Sequence, residues 1–401
     1  MTLRRVYRFK LEPNQKQAHR LYQLAGARRF VYNWALARRK EHFETTGETL
    51  RYAAQNLELT QLKKEEERLW LKEADSQALQ ESLRDVERAF QNFFFKRAGA
   101  KRFGFPKFKS RHKGHFAFRI PQRVKVEKGK VYCPKIGWIK IRQSQAVEGE
   151  TKSATFKRDA CGDWFVSLTV EFEREVQPVK EAHNPVGVDF GLKDFVTLSN
   201  EEAIAAPQFF RRLVKKLAKA QRKLSRAQRG SARRQKAKAQ VAKVHRKIAN
   251  SRADFVHKVS SGLVGRFDHI GIEDLNVAAL AKTKLRGHSK SWHDAACGEF
   301  VRQLEYKAVW NGVRLVKVNR FFASSKLCGA CGAVNKSLAL CERVWTCGCG
   351  KVHHRDRNAA QNILRESLNV AGGHPDTRNA HGEGVRPVLP ATFAEVRIPC
   401  F

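Results

Sequence analysis

Three acids and four cysteines carry the chemistry open to this sequence. In Pro185-Val186-Gly187-Val188-Asp189-Phe190-Gly191, a β-strand puts Val186, Val188 and Phe190 on one face and Gly187, Asp189 and Gly191 on the other. A carboxylate between glycines has no bulky neighbour on its face, so a metal ion and a phosphate backbone can approach it. The device recurs in Ile270-Gly271-Ile272-Glu273, where the strand phase selects Glu273 over Asp274. Asp356 opens a third segment, and on a helix it shares a face with Ala359, Ala360, Ile363 and Leu364, residues suited to close packing on a sheet. Each acid alone reads as a surface residue, and Asp356 as a first-turn acid favoured by the helix dipole. An unpaired carboxylate facing a sheet is costly, however, and a divalent cation resolves that cost. Three carboxylates from two strands and a helix can hold two Mg²⁺ ions about 4 Å apart, one activating water and one stabilising the leaving oxygen of a phosphodiester. The expected activity is Mg-dependent phosphodiester hydrolysis.

The cysteines lie just upstream of Asp356. Cys328-x-x-Cys331 and Cys347-x-Cys349 each bring two thiolates to one tetrahedral Zn²⁺, a closed and therefore structural site. Cys341, His353 and His354 remain competing ligands. Of nine cysteines, five fall between Cys328 and Cys349, which suits metal ligation in a reducing cytoplasm better than a disulfide framework. A redox pair is disfavoured because no thioredoxin-like βαβ pattern surrounds it.

The elements that position these residues sit in a strongly basic chain of 401 residues with a formal net charge of +39. A polyanion is the expected partner, nucleic acid foremost. No acid occurs between Glu202 and Asp254. There Leu213, Leu217, Ala220 and Leu224, then Val241, Val244, Ile248 and Phe255, predict two antiparallel helices joined at Gly230-Ser231, with an apolar seam and a basic exterior. The N-terminus lacks the apolar run of a signal peptide, and no apolar stretch is long enough to span a membrane. The expectation is a cytoplasmic, nucleoid-associated protein.

Residues 3–11 alternate as a strand with Tyr7, Phe9 and Leu11 on one face. Asn14 is a candidate N-cap, and a second helix is expected through residues 28–34 after Gly26. Leu79, Leu83, Val86, Phe90 and Phe93 predict an amphipathic helix from Asp75, its polar face carrying Gln77, Gln80, Arg84 and Arg88. Residues 101–119 interleave bases with phenylalanines, either a nucleic-acid contact or core rings behind a wet face. Short alternating runs over 124–173 predict a β-barrel or sandwich. A strand (269–274), a helix (293–311) and a strand (313–318) precede the cysteines.

Taken together, RRFVYNWAL at 28–36, SQAL and RAFQNFF within 76–94, GWIKIR at 137–142, GVDFGLKDF at 187–195, IGIEDLNV at 270–277, SSKLCGACG at 324–332 and HRDRNAAQNIL at 354–364 resemble the TnpB (OrfB) family. These are transposon-encoded RNA-guided DNA endonucleases related to type V CRISPR effectors. The resemblance implies a multi-domain α/β and β protein. Residues 1–13 and 111–180 form a wedge β-barrel and 14–110 a helical recognition domain. Residues 181–322 and 353–371 form a RuvC-like RNase H fold nuclease, with a zinc ribbon inserted at 323–352. The tail, 372–401, is expected to be disordered. Asp189, Glu273 and Asp356 become the Mg²⁺-binding catalytic triad. The implied partners are a guide RNA from the transposon end and double-stranded target DNA beside a short flanking motif, with the protein a monomer on its RNA. Motif reading is expected near Ser76, Gln77, Gln80 and Arg84. Two departures stand out: the second cysteine pair is one residue shorter than the family's usual C-x-x-C, and His354 occupies a position that is often Asp. A guide-RNA-bound repressor without cleavage is the alternative function. A recombining transposase is disfavoured because it leaves the implied RNA-binding half unexplained.

Overall fold

The computed structural model describes residues 2–95, 103–111, 116–175, 177–191, 193–207, 209–275, 296–339 and 341–372. The expected tail from 373 and residues 293–295 of the expected helix lie outside these. The chain divides into two compact units between Arg174 and Glu175.

The first unit opens with β1 (Thr2–Glu12), whose Tyr7, Phe9 and Leu11 are buried. Helix α1 (Gln15–Thr46) starts at Asn14, whose side chain accepts from the Gln17 amide while the Gln17 side chain returns to the Asn14 amide. This reciprocal cap satisfies two of the donors a helix start leaves open. The expected break at Gly26 does not occur: α1 runs through it for 32 residues. Leu21, Leu24, Ala25, Ala27, Val31, Ala35 and Leu36 form one continuous buried face, and packing along that face outweighs one poor helix former. Helix α2 (Tyr52–Leu62), a 3₁₀ turn (Glu66–Glu73) and α3 (Ser76–Phe94) follow, α3 being capped by Asp75. Leu59, Leu62, Leu71, Leu79, Leu83 and Val86 close over α1.

Strands β2 (Ala117–Ile120), β3 (Val126–Glu127), β4 (Lys130–Cys133), β5 (Gly137–Arg142), β6 (Glu150–Arg158) and β7 (Trp164–Glu173) join β1 in one sheet of order β2-β6-β7-β1-β5-β4-β3. β1 is its centre, pairing with β7 along Thr2–Lys10 and with β5 along Lys10–Glu12. All seven strands are antiparallel to their neighbours, and among the described residues the end strands β2 and β3 do not pair with each other. The aromatic run is not uniformly core. Phe118 is buried in the sheet core, whereas Phe103, Phe105 and Phe108 are exposed.

The second unit is built on β8 (Pro185–Phe190), β9 (Asp194–Leu198) and β10 (Ala203–Ala205), then α4 (Phe209–Arg226), α5 (Ala232–Arg266), β11 (His269–Glu273), α6 (Cys297–Asn311), β12 (Arg314–Val318), β13 (Val344–Thr346), β14 (Val352–His354) and α7 (Arg355–Ala371). A five-stranded sheet runs β10-β9-β8-β11-β12, with β8, β11 and β12 parallel. Helices cover both faces. Val186, Val188, Phe190, Ile270 and Ile272 pack on Val256 and Leu263 of α5 and on Phe300 and Leu304 of α6. The N-terminal half of α5 instead meets α4 through Val244, Ile248 and Leu217, the expected seam.

Helix α7 covers the opposite face. Gly187 and Gly271 stand directly across the β8–β11 ladder from each other. A Cβ on Gly187 would lie 2.1 Å from the Ala360 carbonyl oxygen, and one on Gly271 would lie 2.5 Å from Ser367 Oγ. The expectation that these glycines keep the face open for metal and phosphate is therefore corrected. They form a trough filled by α7, by its backbone over Gly187 and by the Ser367 side chain over Gly271, because only a side-chain-free pair lets a helix come so close to a sheet. Gly187→Ala should destabilise the protein by about 1–3 kcal/mol, as overpacking does. Urea unfolding measures this, with Gly262→Ala as the control, since a Cβ there meets nothing within 4 Å.

Candidate active site and metal centre

The parallel register that pairs Val188 with Ile272 carries Asp189 and Glu273 to neighbouring positions at the carboxyl ends of β8 and β11. Ligand sites in open α/β sheets favour such ends. Asp356 enters from the first turn of α7. Burial pushes the Asp189 carboxyl well above the usual range, the charges of Glu273 and Asp356 push it further, and Arg355 opposes them. Burial also raises Glu273, against a hydrogen bond donated by Ser324 Oγ. The charges of the other two predicted acids thus bear on Asp189. Asp274 does not join them: it is part-exposed and ion-paired with Arg320.

Asp356 is not unpaired, contrary to the sequence expectation. Arg343 Nη1 lies 3.0 Å from each of its carboxylate oxygens. Arg343 immediately precedes β13, and nothing in the spacing announces the contact, because a thirteen-residue loop-and-hairpin excursion brings the two together. Carboxylate oxygens are the hard donors that Mg²⁺ takes, and Asp189 and Glu273 present theirs from adjacent strand ends, while the Asp356 carboxylate is turned to Arg343. Among the described residues the cysteines, not the acids, have ligand atoms all within 4.8 Å of one another.

Among the described residues the four paired cysteines form the candidate metal site. Sγ atoms of Cys328, Cys331, Cys347 and Cys349 all lie within 4.8 Å of one another. Cys328 and Cys349 are 3.7 Å apart, and Cys331 and Cys347 are 3.6 Å apart. Tetrahedral Zn²⁺ with bonds of about 2.3 Å needs sulfurs about 3.8 Å apart, so the four fit the ion. Cys341 is exposed and outside the set, and His354 is exposed on β14. His353 is buried with Nε2 3.0 Å from Cys328 Sγ, and it is outside the four-cysteine set. Burial opposes ionisation of Cys328, but hydrogen bonds from the Cys331 and Ala330 amides and from His353 bring its thiol down to about 6. The Cys349 amide favours ionisation of Cys347, yet burial and the three neighbouring sulfurs leave that thiol pushed up to about 12. Such a competition among thiols ends when a cation takes all four as thiolates.

Two asparagines fasten this knuckle to α7. Asn358 accepts from the Gly329 amide at 3.1 Å and donates to the Leu327 carbonyl at 2.7 Å. Asn362 donates to the Ser324 and Leu327 carbonyls, each at 2.8 Å. Arg365 donates to the Gly329 carbonyl at 2.8 Å. Asn358 and Asn362 have a visible signal, two poor helix formers at i and i+4 on the face that meets other elements. Of the residues expected to read nucleic acid, Ser76 and Arg84 are exposed on α3 in the first unit. Gln77 and Gln80 are half-buried, and Gln77 bonds Gln122.

With the geometry in place, known proteins can be set beside it. A family model described as "Probable transposase" matches residues 167–284, and one described as "Cas12f1-like, TNB domain" matches 298–363. Between them they span all three acids and all four cysteines. A third, described as "Helix-turn-helix domain", matches 1–48, where the described residues form β1 and the single helix α1. A Streptomyces pristinaespiralis protein provisionally named RNA-guided DNA endonuclease is 40% identical over 389 residues, 96% of this chain and 92% of its own. InsQ of Escherichia coli K12, provisionally named in the same way, is 36% identical over 385 residues, 92% of each chain. A chain from the cryo-EM structure of the Cas12f1–sgRNA–target DNA complex superposes with a TM-score of 0.51 at 16% identity, covering 87% of this chain and 82% of that one, a likeness of fold alone.

Two outcomes test the metal sites. A carboxyl raised on folding stabilises the native state at low pH, and that stability is lost as pH rises through the folded value. Removing the charge removes the loss, so Asp189→Asn should raise the melting temperature in EDTA at neutral pH by about 2–4 °C, while a fall in calorimetry would contradict the cluster. Cys328→Ser and Cys347→Ser should each lose the single Zn²⁺ and lower the melting temperature, and elemental analysis finding no zinc in the unmutated protein refutes the site.

Proposed function

Because the chain belongs to the TnpB (OrfB) family of transposon-encoded RNA-guided DNA endonucleases, related to type V CRISPR effectors, we propose that it is an RNA-guided endodeoxyribonuclease in its own right. It binds an RNA from its element's end, pairs that guide with double-stranded DNA beside a short flanking motif, and cuts both strands at one site. Base pairing supplies most of the sequence specificity, while the protein reads backbone, shape and the flanking motif. A +39 chain with basic helices α4 and α5 supplies the phosphate attraction, and this binding is expected to weaken as salt rises.

The observation that carries the reading is the parallel register that sets Asp189 and Glu273 at adjacent strand ends, with Asp356 in the first turn of the helix packed on those strands. In this reading the second unit is a RuvC-like RNase H domain with a zinc ribbon between β12 and α7, and the sheet order with helices on both faces supports it. When bound, two Mg²⁺ ions supply an activated water and charge neutralisation at the leaving oxygen. Asp189 and Glu273 hold their oxygens side by side at the strand ends, and Ser324 keeps the Glu273 carboxylate in one orientation. Asp356 joins them from α7, where Arg343 holds its carboxylate. The seven-stranded sheet of the first unit serves as the wedge barrel, and Ser76, Gln77, Gln80 and Arg84 as the face turned to the flanking motif. The complex is a monomer on its RNA.

Asp189→Ala tests this directly. The variant should lose Mg²⁺-dependent cleavage of a matched duplex by at least about a thousandfold, the scale of removing an electrostatic contributor to catalysis, and keep its RNA affinity. If unmutated protein with its RNA binds the target and never cuts, the protein is a guide-directed repressor instead.

A further inference from the structure

Gly26 lies in the middle of α1, where glycine is less favourable than alanine. No atom comes within 4 Å of the place its Cβ would occupy, so packing inside the unit does not require glycine. The missing side chain leaves open the floor of a cavity of about 380 Å³, walled by Ala27, Phe30 and Trp70. The Phe30 and Trp70 rings meet edge to face at 5.3 Å, and Trp70 remains 44% exposed. Arg29 and Lys135 also line it, beside an Arg20–Glu73 ion pair that cancels its own charge. Lys135 is a second residue in an unfavourable local state, a non-glycine at φ 67°. Local costs of this kind gather at binding sites. Here two of them meet on one concavity of ligand size.

An occupant of this site needs a flat apolar body and a negative charge. A second copy of the chain is a poor match, since two +39 molecules repel. A nucleotide has both properties. A duplex keeps its bases stacked inside the helix, whereas single-stranded RNA presents bases that stack on aromatic side chains. We infer that the cavity holds one unstacked nucleotide of the bound RNA, its base against Trp70 and Phe30 above Gly26 and its phosphate at Arg29 and Lys135. The inference rests on the RNA-binding reading above and adds to it a site in the first unit, away from the acids in sequence and in kind.

The test uses the full chain purified with its accompanying RNA. Ultraviolet crosslinking and mass spectrometry should find a nucleotide adduct on Trp70 or Phe30. Gly26→Met fills the floor. It should abolish the adduct and weaken binding of that RNA about fivefold, with the melting temperature at or above that of the unmutated protein and the salt dependence unchanged. Arg29→Ala should lower the slope of log affinity against log salt by about one phosphate contact. Adducts found only elsewhere, unchanged RNA affinity of Gly26→Met, or an adduct formed only with added single-stranded DNA would each overturn the assignment. Absence of any RNA from the preparation would instead bring down the functional reading itself, a result distinct from RNA-loaded protein with a silent cavity.

Discussion

The second unit depends on one close approach. Gly187 and Gly271 face each other across two parallel strands, and α7 rests on them, through its backbone at Gly187 and through Ser367 at Gly271, with no room for a methyl group. Every carboxylate of the site takes its place from that contact. Two residues beyond each glycine, the chain carries Asp189 and Glu273, on the same face of their strands. The helix that fills the trough carries Asp356 in its first turn and then Ala359, Ala360 and Ile363 onto the sheet. A wider separation would leave the third acid out of electrostatic reach of the first.

The cysteine knuckle acts on the same contact from outside. A four-thiolate site closes its coordination shell, so its part is mechanical. Its loop is tied to α7 through Asn358, Asn362 and Arg365, and β14 runs directly into the helix. The same ribbon reaches back over the helix start, where Arg343 neutralises Asp356, and Ser324 at its entrance orients Glu273. Two of the three acids are therefore contacted by the cysteine segment, Asp356 by Arg343 within it and Glu273 by Ser324 just before it. Hydrogen bonds thus link the segment that carries the four cysteines both to α7 and to two of the candidate acids.

The first unit follows a different logic. Its sheet and helices bury continuous apolar faces, and one local cost falls where the protein keeps space open. Gly26 in α1 is the clearest case. As a sequence signal it reads as a helix break, since glycine weakens a helix and commonly follows its end. The buried face on either side of it is long enough to hold one helix together, and the glycine then marks a cavity floor. The aromatic segment behaves alike: its composition does not say which rings are core, and the tertiary packing divides Phe118 from Phe103 and Phe108.

By itself the sequence determined the partners of the chemistry. Strand phase singled out Asp189 and Glu273, residue spacing singled out the two cysteine pairs, and the run of motifs from 28 to 364 carried the family. These are local properties, set by period-two and period-3.6 geometry and by ligand type. The tertiary structure alone decided what the glycines beside the acids are for, which of the competing cysteine and histidine ligands belong together, and that Asp356 has Arg343 as its partner. Each of those answers depends on residues distant in the chain arriving within a few ångströms of one another. Spacing along one segment carries no information about that, because sterics and charge act through space.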